Sequence, residues 1–365
     1  MYVVLALLLL GVLIIAHEGG HFWAARACGI GVQEFSMGMG PLIAKWQSKK
    51  GTQFSVRLLP IGGFCAMEGE EEDSSDPAAL NNQGFWQKLL IFAAGALMNF
   101  LAGLIIILVL YAGVKAVNVP VIRGFAEGCP LESAAGLQEG DRILSIDGER
   151  IYTFSDVSLL LGRNKTGVFD LKVKRDGQTV TLKDFPMERA EYTDQQGQTY
   201  TGFGLMFGAE EATVGSRLRY SWNNAVDFVR IVRLSLQMLV TGEAGLKDVS
   251  GPVGIVSTIT DVGEQAESAS AAVENIAYLA ALIAVNLAVM NLLPVEPLDG
   301  GQALFCLLAP HMEEPKATRA VLVVSVVTIL PLAAAGFYVL LHSGYNFTLL
   351  AVSVYLVLLL LLKKK

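Results

Sequence analysis

Hydrophobic positions in this chain gather into long blocks instead of alternating. Met1 to Ala16 is an uninterrupted apolar run, and as a helix continuing to about Ala27 it is long enough to cross a bilayer at roughly 20 residues per crossing. The alternative, a cleaved signal peptide, lacks its basic leading segment and would run straight into His17, Glu18 and His21. Leu89 to Val114 carries no charge and predicts a second span. Ile276 to Leu308 predicts a third, interrupted by the polar stretch Asn291 to Gly301. Ala320 to Leu341 predicts a fourth, and Phe347 to Leu362, ahead of Lys363, Lys364 and Lys365, is a short fifth candidate.

Composition agrees with membrane residence. Of the 365 residues, 53% are hydrophobic and 17% charged, against about 25% charged in an ordinary soluble domain. A net charge of -7 leaves no general basic surface for a phosphate backbone, so no nucleic-acid partner is expected. The four cysteines are scattered singly and form no knuckle or disulfide framework. Arg26, Lys45, Lys49, Lys50, Arg57 and Lys88 lie in the first loop, and Lys316 and Arg319 precede the fourth span. Placing these on the cytoplasmic side puts the amino terminus and the 118–270 region outside.

Between the second and third spans the pattern becomes that of short β segments with Gly-rich turns and one helix near Phe154 to Leu161. The run AGLQEGDRILSIDG from Ala135 to Gly148 resembles a PDZ domain, a fold that accepts an extended peptide as an added strand. Such a unit either captures a peptide ligand or acts only as a plug or filter. Val214 to Val240 then carries Arg217, Arg219, Asp227, Arg230 and Arg233 at near-helical spacing. That density of charge forbids a lipid-facing span and predicts an interfacial amphipathic helix, or else a solvent-exposed helix packed on the preceding unit.

The chemistry concentrates at Ala16-His17-Glu18-Gly19-Gly20-His21, an HExxH pattern at the end of a hydrophobic helix. Residues four apart share a helix face, so His17 and His21 can offer two imidazole nitrogens to one zinc ion. Glu18 then stands beside the metal, where it can take a proton from an attacking water. Ionisable groups at membrane depth are costly and rarely kept without a partner or a role. Gly19-Gly20 is a poor helix-forming pair. A third ligand is needed, and Asn291-Leu-Leu-Pro-Val-Glu-Pro-Leu-Asp-Gly-Gly301 offers it. Pro294 and Pro297 break the helix, two glycines let the backbone bend after Asp299, and irregular backbone at membrane depth lines a cavity or faces protein. Asp299 is one candidate ligand and Glu296 its rival.

HExxH in the first span, the inserted PDZ-like unit and the distal NxxPxxxLDG together resemble the site-2 protease family of intramembrane zinc metalloproteases. The likeness is greatest to the bacterial regulator of sigma-E protease branch with a single PDZ domain. It covers roughly residues 1 to 310 and includes EFSMGMGP, LLPIGGFCAMEGE, AAGALMNF and SGPVGI. The resemblance implies one zinc ion on His17, His21 and Asp299, with Glu18 as general base. It implies substrate contacts from Asn291 and from a membrane-associated β hairpin at Ile61, Gly62, Gly63 and Phe64. By the same likeness Asn99, in a segment where Ala96 replaces the usual Pro, helps brace the site and is grouped with the substrate-binding residues.

The expected architecture is a multi-pass α-helical membrane protein of four or five spans with an inserted extracytoplasmic PDZ domain (α+β) and a membrane-associated β hairpin. Its parts are 1–117, the first two spans and the hairpin; 118–208, the PDZ domain; 209–270, an amphipathic helix and connector; 271–341, the third and fourth spans; and 342–365, a hydrophobic tail. The expected activity is endopeptidase cleavage, in regulated intramembrane proteolysis, of single-pass membrane proteins such as anti-sigma factors or remnant signal peptides. The expected location is the bacterial inner membrane, in contact with the lipid bilayer, with the zinc site towards the cytoplasm. The competing reading is a non-catalytic membrane PDZ scaffold with a structural metal; a metal transporter is weaker, because a conduction path needs more intramembrane ligands.

Overall fold

A computed structural model of the chain describes residues 2–70, 72, 74–193, 197, 199–241 and 252–343. The fifth candidate span and the first two residues of SGPVGI lie outside the described residues. In chain order the elements are α1 (Tyr2–Ala27), β1 (Val32–Gln47), β2 (Gln53–Met67), α2 (Phe85–Ala112), β3 (Ala116–Phe125), β4 (Arg142–Ile146) and β5 (Glu149–Arg150). There follow α3 (Phe154–Arg163), β6 (Val168–Arg175), β7 (Gln178–Pro186), β8 (Ala190–Thr193), β9 (Thr199–Gly202), β10 (Leu205–Glu211) and α4 (Val214–Thr241). The remaining helices are α5 (Pro252–Glu264), α6 (Ala269–Asn291), α7 (Asp299–Leu308) and α8 (Glu314–Ser343).

Among the described residues three helices, α1, α2 and α6, are long and apolar enough to cross a membrane. The third hydrophobic run is not one span: α6 begins before Ile276, ends at Asn291, and α7 starts afresh at Asp299. Pro294 and Pro297 cause this break, since neither can donate a helical hydrogen bond. The fourth expected span falls within α8.

The chain divides into two compact units, one holding residues up to Ile107 and from Phe228 onward, the other Leu108–Asp227. In the first unit, α2 presents small or compact residues at Gly95, Asn99 and Gly103, four apart on one face. A Cβ at Gly103 would come within 2.8 Å of Val285 and 3.0 Å of the Ala281 carbonyl on α6. Small residues are what let apolar helices approach closely in lipid, where no water drives them together. A second cluster joins α1, α5 and α6 through Ala6, Leu13, Ile259, Ile276 and Ile283.

β1 and β2 pair antiparallel as a two-stranded sheet. Both strands bend, so that Phe35 faces Cys65 on one side and Phe54 on the other. Arg57 fastens the bend: it donates to Glu34, Ser36 and the Gly40 carbonyl, and its guanidinium stacks over Phe64 at 5.2 Å. Phe35, Cys65 and Met67 pack with Ala25, Ile91, Phe92 and Cys306, tying the hairpin to α1, α2 and α7. The outer surface carries exposed Met39, Ile43, Trp46 and Leu58.

The second unit is a six-stranded antiparallel sheet in the order β10-β3-β4-β6-β7, with β5 on β4, beside the small β8–β9 pair. α3 begins with the capping box Thr153–Asp156. β4 is one of the short β segments expected, with Ile143 and Ile146 buried on either side of a register shift. The unit is larger than the expected 118–208. It takes in the end of α2 and the start of α4, because Tyr111, Val114 and Tyr220 pack on Val117, Val119 and Val121 and Arg217 donates to the Val114 carbonyl.

α4 meets the amphipathic expectation only in part: it buries Tyr220, Ala225, Phe228 and Val232 and exposes Arg219 and Arg233. Ser221, Asn224, Asp227 and Arg230 are buried, whereas Val214, Leu218 and Trp222 are exposed. These four polar residues lie on the buried side, where the Asn224 amide donates to the Tyr111 hydroxyl and the Tyr220 carbonyl. Periodicity had located the helix but not which of its faces meets protein.

Candidate metal centre

The centre is assembled by α1, α2 and the start of α7. Helical spacing puts His17 and His21 on one face of α1, with their Nε2 atoms 3.3 Å apart. Asp299 Oδ2 lies 3.2 Å from His17 Nε2 and 3.4 Å from His21 Nε2. These three residues form a group able to hold a metal ion, with ligand atoms all within 4.8 Å of one another. Asp299 Oδ2 is buried and has no hydrogen-bond partner. Two imidazole nitrogens and an orphaned carboxylate oxygen converging on one point are a donor set suited to zinc, and they leave a fourth position open. The residues therefore fit the metal that the HExxH pattern implies.

Local sequence explains the closeness. A Cβ on Gly20 would run into the Ala94 carbonyl, and one on Gly95 would meet both imidazoles. The poor helix-forming Gly20 is thus the price of close approach between α1 and α2, while Gly19 has nothing within 4 Å of its Cβ position. At the other wall, Gly300 and Gly301 let the 292–296 turn lie directly on α7, since a Cβ on either would strike that backbone. Ser325 of α8 pins the turn by accepting from the Glu296 backbone N–H at 2.9 Å, while donating to the Val321 carbonyl.

Asp299, and not its rival Glu296, is the carboxylate brought to the histidines. Glu18 stands against the hairpin: Gly63 places its Cβ position 3.4 Å from Glu18 Cγ, and the Cys65 backbone N–H donates to the Glu18 carboxylate. Asn291 Nδ2 is 3.3 Å from His17 Nδ1, and Asn99 Nδ2 is 3.5 Å from the same atom. Gly62 adopts φ +95° against Met39. Phe64 turns to Arg57, and of Ile61 only the backbone within β2 is described.

Three contributors escaped the sequence reading. The Ile91 carbonyl accepts from His21 Nδ1 at 2.8 Å, and a backbone acceptor leaves no mark in a sequence. Gly95 and Ser325 did leave one, as a glycine and a serine inside apolar helices, positions that in lipid mark helix contacts.

The chain matches the model of peptidase family M50 over residues 5–332. It is 33% identical over 299 residues to a candidate zinc metalloprotease of Clostridium acetobutylicum, covering 82% of this chain and 84% of the relative. A Clostridium perfringens protein of the same description is 34% identical over 311 residues, covering 83% and 86%. Metalloprotease MmpA of Caulobacter vibrioides is 29% identical over 333 residues, covering 81% and 83%. With the histidines, the carboxylate and the broken third helix in place within the matched stretch, the chain belongs to peptidase family M50, the site-2 protease family of zinc metalloproteases.

Proposed function

We propose that this protein is an intramembrane zinc metalloendopeptidase that cleaves single-pass membrane proteins within or near their transmembrane segment. The observation that carries this reading is the convergence of His17, His21 and Asp299 within 4.8 Å, beside Glu18 and at the level of apolar helices. The substrate class is anti-sigma factors or remnant signal peptides, in regulated intramembrane proteolysis. The branch is that of the regulator of sigma-E proteases. The six-stranded unit serves as an extracytoplasmic PDZ domain, which captures a peptide or excludes bulky ectodomains. The fold reading adds a fourth span at α8, a bacterial inner-membrane location and a centre towards the cytoplasm; the concentration of Lys and Arg in the first loop supports that orientation.

In this reading His17, His21 and Asp299 hold the ion. When bound, zinc supplies Lewis acidity, which favours charge on a scissile carbonyl oxygen and ionisation of water. Glu18 takes a proton from the attacking water and returns it to the leaving amine. A helical substrate shields its peptide bonds and must unwind first. Residues 63–67 of β2 pair only with β1 among the described residues, and the Cys65 and Met67 N–H groups are held by the Glu18 and Glu70 carboxylates, which an extended peptide backbone added at this edge displaces. Gly63 lies at van der Waals distance from Glu18, and an added strand there runs past the base. The Asn291 carboxamide, next to His17, can donate to the substrate's carbonyl oxygen.

The test is co-expression with a tagged membrane-spanning anti-sigma-like substrate, comparing the intact chain with Glu18→Gln at equal expression. A fragment ending inside the substrate's membrane segment, absent with Glu18→Gln, is expected. Identical fragments from both would remove Glu18 from the chemistry and leave the scaffold reading standing.

A further inference from the structure

Asn99 projects from α2 one turn after Gly95 and is 1% exposed. Its Nδ2 lies 3.5 Å from His17 Nδ1, and its Oδ1 is buried with no hydrogen-bond partner. A buried acceptor without a donor is costly, about 1–3 kcal/mol by general experience, and calls for a reason.

The tautomer of His17 supplies one. Its Nε2 points at Asp299 Oδ2 and at His21 Nε2. If Nε2 gives its lone pair to a metal, a neutral imidazole carries its proton on Nδ1. Nδ1–H then needs an acceptor, and an amide nitrogen cannot be one. The two ends of a carboxamide have the same shape, and hydrogen bonding decides which faces where. Turned by half a rotation, Asn99 offers its partnerless Oδ1 to Nδ1–H. His21 follows the same rule, with its Nδ1 on the Ile91 carbonyl and its Nε2 facing the centre. Asn291 fits this role less well: its Nδ2 straddles the ring, 3.3 Å from Nδ1 and 3.4 Å from Nε2 of His17, whereas Asn99 faces Nδ1.

We propose that Asn99 is a positioning residue whose Oδ1 accepts from His17 Nδ1–H, fixing the tautomer that leaves Nε2 free for zinc. This gives a specific form to the bracing role that resemblance implied for Asn99, and it rests on the reading of His17 as a zinc ligand. Groups that orient a metal-bound histidine govern metal affinity directly, and their loss costs about 10–100-fold.

The experiment is a zinc titration of the purified full-length protein in detergent, in competition with a chromophoric chelator, with the melting temperature of the metal-free form measured alongside. Asn99→Leu keeps the size and removes the acceptor; zinc affinity is expected to fall about 10–100-fold with little change in metal-free melting. Asn99→Asp presents acceptors only and is expected to bind zinc about as well as the parent protein. An Asp variant as weak as the Leu variant would show that His17 uses a donor, and parental affinity in Asn99→Leu would show that it uses neither; both results overturn the proposal. If Asn99→Leu does not fold, Asn99→Asp decides alone: retained affinity supports the proposal and a loss beyond about tenfold overturns it. His17→Ala is the control for the underlying reading, because unchanged zinc affinity there would remove His17 from the ligand set itself.

Discussion

Gly95 and His17 meet where α2 crosses α1: a Cβ on Gly95 would stand 2.7 Å from Cε1 and 2.9 Å from Nδ1 of His17. The glycine is the floor on which the imidazoles rest, and the smallest added side chain has nowhere to go but into them.

Gly95→Ala is therefore expected to push the histidines off their convergence and to weaken zinc binding at least tenfold, on the scale of lost orienting contacts. Gly19→Ala is the contrast. With open space at its Cβ position, it should leave zinc affinity unchanged and raise helix stability by about 0.5–1 kcal/mol. Zinc titration and thermal unfolding of the two variants, run together, check the difference.

Asp299→Asn removes the charged oxygen that faces both histidines. Purified protein should lose most of its zinc, measured by elemental analysis, while remaining helical by circular dichroism. Glu296→Gln should retain zinc at the parental level, because Glu296 is not among the residues that converge. Unchanged zinc in Asp299→Asn would place the third ligand elsewhere.

Gly63 separates substrate handling from metal binding. Its Cβ position is 2.9 Å from the Ser36 carbonyl and 3.4 Å from Glu18, so Gly63→Ala must shift the hairpin edge beside the base. Cleavage of a membrane substrate should fall about tenfold, equivalent to ~1.4 kcal/mol of transition-state stabilisation, with zinc content intact. Equal loss of zinc and cleavage would mean that the hairpin supports the metal itself.

In the six-stranded unit, Asp141 is fully buried and accepts from Arg175 at 2.7 and 2.8 Å. These bonds raise the Arg175 pKa, against a smaller opposing cost of burial. A cation with a raised pKa stabilises the fold at all pH below its ordinary value and loses that contribution only above the raised one, so alkaline buffer should leave the pair intact. Asp141→Ala leaves the half-buried guanidinium with the Gly136 carbonyl but without its carboxylate, and should destabilise this unit by about 1–3 kcal/mol. Limited proteolysis should then cut between residues 108 and 227 in the variant while the parent resists.

What the sequence determined by itself is what depends on near neighbours. The four-residue spacing of His17 and His21 puts them on one face in any α helix, and Pro294 and Pro297 end a helix wherever they stand. Long uncharged runs mark spans, and alternation with glycine turns marks the sheet, because both patterns report the repeat of the local backbone. Resemblance, not spacing, then favoured Asp299 over Glu296.

Tertiary structure decided which faces meet. Lipid is as apolar as a helix interior, so hydrophobicity along α2 cannot distinguish the side that touches α1 from the side that touches lipid. Only packing shows Gly95 under the imidazoles, Asn99 beside His17, and Gly63 against Glu18. The same limit explains α4, whose charged periodicity was legible but whose buried Asp227 and Arg230 were read on the outer face. A period gives the angle between side chains on a helix; the direction of the whole stripe is set by what the helix packs against.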